Sequence, residues 1–295
     1  MKKITRIICW TVCIVFLCAA VWFLSAFFGN PLSSALAKST AKRYLEEHHT
    51  DTDFEIVKVG YDLKSGGYNV HVESPTSIDS HFIIYCDWLG RYNDDTSRSI
   101  TDGSNTYSRV AMEYWDLVKA KLPYSLFDID IGYGDLQIAG MLEIYDYIDE
   151  NGERKYYTLT KDFGLDMSAL VLDKEYDILE LGQEYGALTV RIHDDVVTVD
   201  RAAEVLLALK EQLDKQGLPF RSINFILCAP RNENGQSDGP SIRLIEFLYS
   251  DIHKDGLAER VQANWDITQE HYAIQDGLKQ EAQLLTPFFI EIPEN

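Results

Sequence analysis

Ile7 to Phe28 is a run of 22 residues without a charge, interrupted only by Thr11 and Ser25. As a helix rising about 1.5 Å per residue it would be about 33 Å long, enough to cross a hydrocarbon core of about 30 Å. The run therefore predicts a transmembrane helix over residues 7–28. A cleavable signal has a shorter apolar region, about 7–15 residues, with the cut close behind it. Here the small-x-small stretch Ala35-Leu36-Ala37 lies well past Phe28, beyond Pro31. Pro31 suits the first turn of a helix with Asn30 as its cap. Leu32, Ala35, Leu36, Ala41, Tyr44 and Leu45 then recur at amphipathic helical spacing to about His49. The alanines read as helix interior, and the span as uncleaved.

Lys2, Lys3 and Arg6 precede the run, which by the positive-inside tendency keeps residues 1–6 cytoplasmic. Lys38, Lys42 and Arg43 pull the other way from farther off. The expectation is a single-pass cell-membrane protein, bound to the lipid bilayer through Ile7 to Phe28, with residues 29–295 extracellular at the cell envelope. Cys9, Cys13 and Cys18 follow Ile8, Val12 and Leu17, not the small residue that lipid modification requires, and read as apolar span residues.

Charge narrows the partners. Past the apolar run the chain carries 24 basic and 47 acidic side chains. A body so acidic repels phosphate backbones, which argues against nucleic acid as a partner. Its 46 % hydrophobic and 12 % aromatic content is enough for real cores. Cys86 and Cys228 lie in apolar, strand-like stretches and read as buried thiols rather than a disulfide.

After the first helix, Phe54 to Tyr61 reads as a strand, Lys64 to Gly67 as a turn, and Tyr68, Val70 and Val72 as the buried face of a second strand. Ser80 to Trp88 gives a third. A helix begins at Asp102-Gly103-Ser104, with an apolar stripe of Val110, Tyr114, Trp115, Leu117, Val118 and Leu122, and ends at Pro123. This is an α-β-β-β-α domain over 29–123. The remainder, 124–295, reads as a second domain with a C-terminal tail. It has strand-like segments from Phe127 to Thr160 and a helix over Leu172 to Tyr185 capped by Asp173 or a residue just before it. Leu188, Val190 and Ile192 mark a strand, and a turn at His193-Asp194-Asp195 leads into Val196 to Val199 as another. Asp200 caps a helix that Gly217 stops. A strand pair at Ile223 to Cys228 and Ile242 to Tyr249 precedes a polar helix from Gly256. The predicted fold class is α+β: one N-terminal transmembrane helix, then two small antiparallel-sheet α+β domains.

Several stretches carry a family resemblance. They are Asn30-Pro31 with Leu36-Ala37-Lys38, Val72-Glu73-Ser74-Pro75 with Ser77 to Phe82, Asp173 to Ile178, and Phe247 to Ile252. Together they resemble the YfjL-like proteins, uncharacterised membrane-anchored chains of Gram-positive bacteria. The resemblance implies one anchor, an outer location and an α+β fold; it implies no catalytic residue.

No pattern in the chain assigns chemistry. Ser39-Thr40-Ala41-Lys42, Lys64-Ser65-Gly66 and Ser222-Ile223-Asn224 match the elements of penicillin-recognising serine enzymes, but in the wrong order and spacing. His48-His49 with Asp51 and Asp53 reads as a polar helix end better than as a cation site. Asp149 to Gly152 and Asn232 to Gly235 lack calcium ligands at the first and twelfth loop positions. Gly132-x-Gly134 lacks the strand–helix setting of a phosphate loop. The reading is a non-enzymatic binding or interaction protein taking a protein, peptide or cell-wall ligand, with no catalytic, cofactor-binding or metal-ligating residue named. A hydrolase with residues remote in sequence, or a cation-responsive module, stands as the alternative.

Overall fold

The computed structural model describes residues 10–12, 15, 23, 25, 27, 29–140, 142–148, 154–160, 163–235, 239–275 and 289–291. The chain divides into two compact units, Met1–Thr106 with Leu170–Lys174, and Tyr107–Ala169 with Glu175–Asn295.

In the first unit, α1 (Pro31–His48) starts where the sequence places it, with Pro31 in the first turn and Asn30 Oδ1 accepting the Leu32 N–H at 2.8 Å. Its buried face holds the predicted Ala41, with Tyr44 and Leu45 packed against the core, but not the predicted Leu32 and Leu36. Ser33, Ala37 and Ala41 pack inward, while Leu32 and Leu36 are 68 % and 46 % exposed. The small residues win because the sheet approaches closely: a Cβ on Gly90 would lie 2.5 Å from the Ala37 nitrogen. The sheet is an antiparallel meander of β1 (Glu55–Asp62), β2 (Gly67–Glu73), β3 (His81–Cys86) and β4 (Tyr92–Asp95). Tyr68, Val70, Val72, Phe82, Ile84 and Cys86 form its core with Ala37 and Ala41. The acidic β4 and the short α2 (Arg98–Thr101) escape sequence reading because neither carries an apolar period. Ser104 opens α3 (Ser104–Lys121).

Two of the family-like stretches meet in this unit. The Asp173 carboxylate accepts the Ser77 hydroxyl at 2.8 Å and the Asp79 N–H at 3.0 Å, while Asp79 accepts the Asp173 N–H at 2.9 Å. Asp79 also accepts the Thr106 hydroxyl, and its backbone carbonyl accepts from Asn105. This reciprocal clasp holds Asp173 at φ +59°, a left-handed conformation. It also corrects the predicted helix from Leu172: a helix cannot run through that residue, and α4 spans only Ile178–Tyr185, capped by Asp177.

The second unit is built on a four-stranded sheet in the order β10 (Ser241–Leu248), β9 (Ser222–Cys228), β8 (Gly186–His193) and β5 (Asp128–Leu136). The strands are not all antiparallel as predicted. β8 and β9 are parallel, because α5 (Val199–Lys215) carries the chain back between them. Thr198, not Asp200, caps α5, so Val196 to Val199 is no strand. Val110, Tyr114, Val118 and Leu122 of α3 join Ala202, Val205, Leu206, Leu209 and Leu213 of α5, and Leu188, Val190, Ile223, Phe225 and Leu227 of the sheet, in the buried core. α6 (Leu257–Gln275) packs on β10, where Asn264 bonds both the N–H and the carbonyl of Ile245. A further sheet pairs β6 (Leu142–Ile148), β7 (Arg154–Thr160) and β11 (Phe289–Glu291).

The membrane expectation is corrected. Among the described residues, no helix is long and apolar enough to cross a membrane. The longest of them, α1, α3 and α6, carry charged faces, with Lys42 of α1 on Glu46 and Arg109 of α3 on Glu113. A span needs about 20 consecutive apolar residues. Of 7–28, only positions 10–12, 15, 23, 25 and 27 are described, all helical; the rest lies outside the described residues, as do Cys9, Cys13 and Cys18. The fold class is α+β with two four-stranded sheets. The single-pass, cell-membrane and outward-facing assignments fall with the span.

Candidate functional site

The two ends of β9 place very different chemistry in the second unit. At its carboxyl end, parallel pairing sets Cys228 beside His193. Across the sheet, β5 bulges between Ile129 and Ile131, which frees Asp130 from the ladder and turns it toward β8. Arg191 donates Nε and Nη2 to the Asp130 carboxylate, both at 2.8 Å, and Arg231 Nη2 donates to Oδ2 as well. Burial would raise the Asp130 pKa, but the bonds from Arg191 and Arg231 outweigh it and hold the carboxyl well below its ordinary range.

The order thiol–imidazole–carboxylate invites a catalytic reading, since Cys228 Sγ lies 3.3 Å from His193 Nδ1 and His193 Nε2 lies 3.1 Å from Asp130 Oδ2. The geometry refuses it. His193 Nδ1 is 2.9 Å from the Ala229 carbonyl, a contact that only an N–H makes favourable, so Nδ1 holds the proton and is no base for the thiol. The thiol instead donates to the Ile192 carbonyl at 3.5 Å. Nε2 lies off the line a hydrogen bond to Asp130 needs, leaving it buried without a hydrogen-bond partner among the described residues. Cys228 is 3 % exposed, and neither it nor Cys86 forms a disulfide. Burial, with Asp87 nearby, pushes the Cys86 thiol up to about 11. Neither thiol is prepared as a nucleophile.

At the amino end of β9 the surface opens into a cavity of about 950 Å³, lined by Leu218, Pro219 and Phe220, by Leu179 and Glu180 of α4, and by Leu248, Tyr249 and Ser250 among others. Its floor is fixed at every step. Leu218 N–H donates to Leu213 O, Pro219 O accepts the Tyr114 hydroxyl at 2.9 Å, Arg221 N–H donates to Gly186 O, and Tyr249 N–H donates to Arg221 O. Tyr114 is wholly buried, and the chain makes room for its ring with glycines: a Cβ on Gly134 or Gly182 would lie 2.9 or 2.5 Å from it. Phe220 meets Tyr249 edge to face at 5.1 Å between centroids.

The charges of the cavity sort into committed and uncommitted groups. Asp214 accepts the Tyr249 hydroxyl at 2.9 Å and Lys210 Nζ at 2.7 Å, and the ammonium also sits 4.1 Å over the Tyr249 ring. Burial would lower the Lys210 pKa; Asp214 and Tyr249 raise it overall. Asp177 is taken up by the α4 N–H groups of Leu179 and Glu180. Arg221, by contrast, lies flat on Phe163, its guanidinium carbon 3.2 Å from the ring centroid, and Phe163 stacks on Tyr185.

The motifs singled out in the sequence come apart. Ser39 and Lys42 are exposed positions on α1, and Ser65 sits in the β1–β2 turn, where it bonds the Gly67 N–H. His48 stacks on Tyr44, His49 packs against Phe54 and Phe82, and Asp53 accepts hydroxyls from Ser74 and Thr76. No cation site forms there. Among the described residues no group of three or more His, Cys, Asp or Glu is placed to hold a metal ion. Asn232 to Gly235 is a turn, and Asp149 to Gly152 lies outside the described residues apart from the strands beside it. Gly132 and Gly134 serve packing under α3, since a Cβ on each would lie 2.5 Å from Leu122 or Val118. The cavity was missed because its walls come from three separate stretches; the signal that pointed nearest was Phe247 to Ile252, which supplies Leu248, Tyr249 and Ser250.

Two family models match the chain: the YfjL-like N-terminal domain over residues 2–91, and the YfjL-like C-terminal domain over residues 116–262. Comparison with curated proteins finds no match.

Proposed function

We propose that this chain, which belongs to the YfjL-like family, is a binding protein whose second unit takes a short peptide in the cavity at the amino end of β9. The observation that carries the reading is that cavity: about 950 Å³, at the upper end of the roughly 300–1,000 Å³ usual for ligand sites. It combines exposed apolar walls at Leu179 and Leu248 with polar groups already fixed in place, as binding without a large ordering cost requires. A catalytic role has less support: the Ser250 hydroxyl at the cavity meets only the adjoining Asp251 carboxylate, at 3.4 Å, and at the other end of the strand the Cys228 thiol is closed off.

The test is equilibrium dialysis of the full chain against a pool of apolar tripeptides with free ends, followed by hydrogen exchange read by mass spectrometry. Retained peptides should slow exchange in 217–221 and 248–250. Retention of none, or protection confined to other segments, overturns the reading.

A further inference from the structure

Arg221 differs from Arg109, Arg191, Arg201 and Arg231 in what it touches. Arg191 and Arg231 hold Asp130, and Arg201 holds Asp194 and Glu204. Arg109 of α3 pairs with Glu113. The Arg221 guanidinium has no carboxylate or carbonyl partner among the described residues; its one partner is the face of Phe163. Stacking fixes the plane of the group while leaving the fork of N–H donors along its edge open, and that fork matches a carboxylate two bonds at a time. In a chain of net charge −20, a guanidinium with no internal carboxylate at a cavity wall is a placed group, not a leftover one.

Glu180 is its counterpart. It lines the same cavity, and its side chain has no cationic partner among the described residues, while Asp177 and Asp214 beside it are engaged. The uncommitted charges of the cavity are thus one cation and one anion, beside the exposed side chains of Leu179 and Leu248.

Resting on the peptide-binding reading, we infer that Arg221 anchors the terminal carboxylate of the ligand and Glu180 faces its terminal ammonium, so the site selects short peptides with both ends free. A carboxylate on Arg221 gains two charge-assisted bonds against a rigid fork. An ammonium near the exposed Glu180 gains less, because water screens it. The apolar side chains of the peptide then cover Leu179 and Leu248, which are 47 % and 38 % exposed at the cavity wall.

The test uses the full chain, its Arg221→Gln and Glu180→Gln variants, and the tripeptide pool in three forms: free-ended, C-terminally amidated and N-terminally acetylated. For the parent chain, amidation should weaken binding about 10- to 100-fold, the range of a charge-assisted hydrogen-bonded pair. Arg221→Gln should weaken the free-ended pool about equally, and amidation should cost that variant nothing further, as expected when both changes remove one contact. Acetylation and Glu180→Gln should each weaken binding about two- to fivefold. Free leucine should compete poorly; competition equal to the pool would overturn a peptide as the source of the carboxylate. If amidated and free peptides bind the parent chain alike while 217–221 is still protected, the Arg221 assignment fails and the cavity reading stands. If no form binds, both fail.

Discussion

The two ends of β9 share a strand and differ in how their charges are settled. At the carboxyl end, Arg191 and Arg231 bond Asp130 with His193 alongside, and the Cys228 thiol donates to a backbone carbonyl. At the amino end, Lys210, Asp214 and Tyr249 satisfy one another, yet Arg221 and Glu180 do not. Carboxyl ends of parallel strands are where open α/β sheets usually bind ligands. Here that end is tied shut, and the cavity lies at the other. A cluster of functional-looking residues is therefore weaker evidence of a site than a single charge left without a partner beside open space.

That contrast can be broken most decisively at Asp130. Asp130→Asn removes the carboxylate that Arg191 and Arg231 share, and should destabilise the chain by about 3–5 kcal/mol in urea unfolding. A loss below about 1 kcal/mol would mean that the carboxyl end is not held closed by this group. The same variant fixes the pH dependence. Because the folded Asp130 pKa is depressed, its contribution is fully present above the ordinary carboxyl value of about 4 and is lost as pH falls through the folded value. Parent and variant should thus converge in acid; a gap that stays constant down to pH 2 contradicts the assignment.

Gly182→Ala tests the wall behind the cavity. Its Cβ would lie 2.5 Å from the Tyr114 ring, which has no room to move, and should cost about 1–3 kcal/mol. A neutral result in thermal melts would show that the floor is softer than its hydrogen bonds imply.

Lys210→Met should cost less, about 1 kcal/mol, through loss of the Asp214 pair and the contact with the Tyr249 ring. Its sign in pH is opposite to that of Asp130. The Lys210 pKa is raised on folding, so its contribution holds below the unfolded value of about 10.4 and fades as pH climbs through the folded one. The two ends should then fail at opposite extremes, the carboxyl end in acid and the amino end in alkali. Melting curves of both variants from pH 3 to 11 would show whether they do.

The smallest effect sharpens the comparison most. Phe163 is 36 % exposed, so Phe163→Leu should leave stability within about 0.5 kcal/mol, yet weaken tripeptide binding about threefold by loosening Arg221. Unchanged affinity would mean that the stacked ring does not position the guanidinium.

Local chemistry was legible where neighbours in sequence decide it. Asn30 and Pro31 start α1, Tyr68, Val70 and Val72 alternate along β2, and Gly217 follows the end of α5 with φ +63°. Reading failed where a distant group intervened. Asp173 was a reasonable helix cap until Asp79, far off in sequence, pinned it left-handed. Leu32 and Leu36 suggested the inner face of α1 until the close approach of Gly90 demanded alanine.

The sequence by itself determined the family, through short stretches that both family models cover, and the α+β class, because apolar period and capping are properties of adjacent residues. It also determined the strong excess of acid. The tertiary structure alone decided that β8 and β9 run parallel, that Cys228 meets His193, and which charges find partners. Pairing and neutralisation depend on residues brought together across the sheet, so no spacing along the chain encodes that Arg221 is left with an aromatic ring and an open edge.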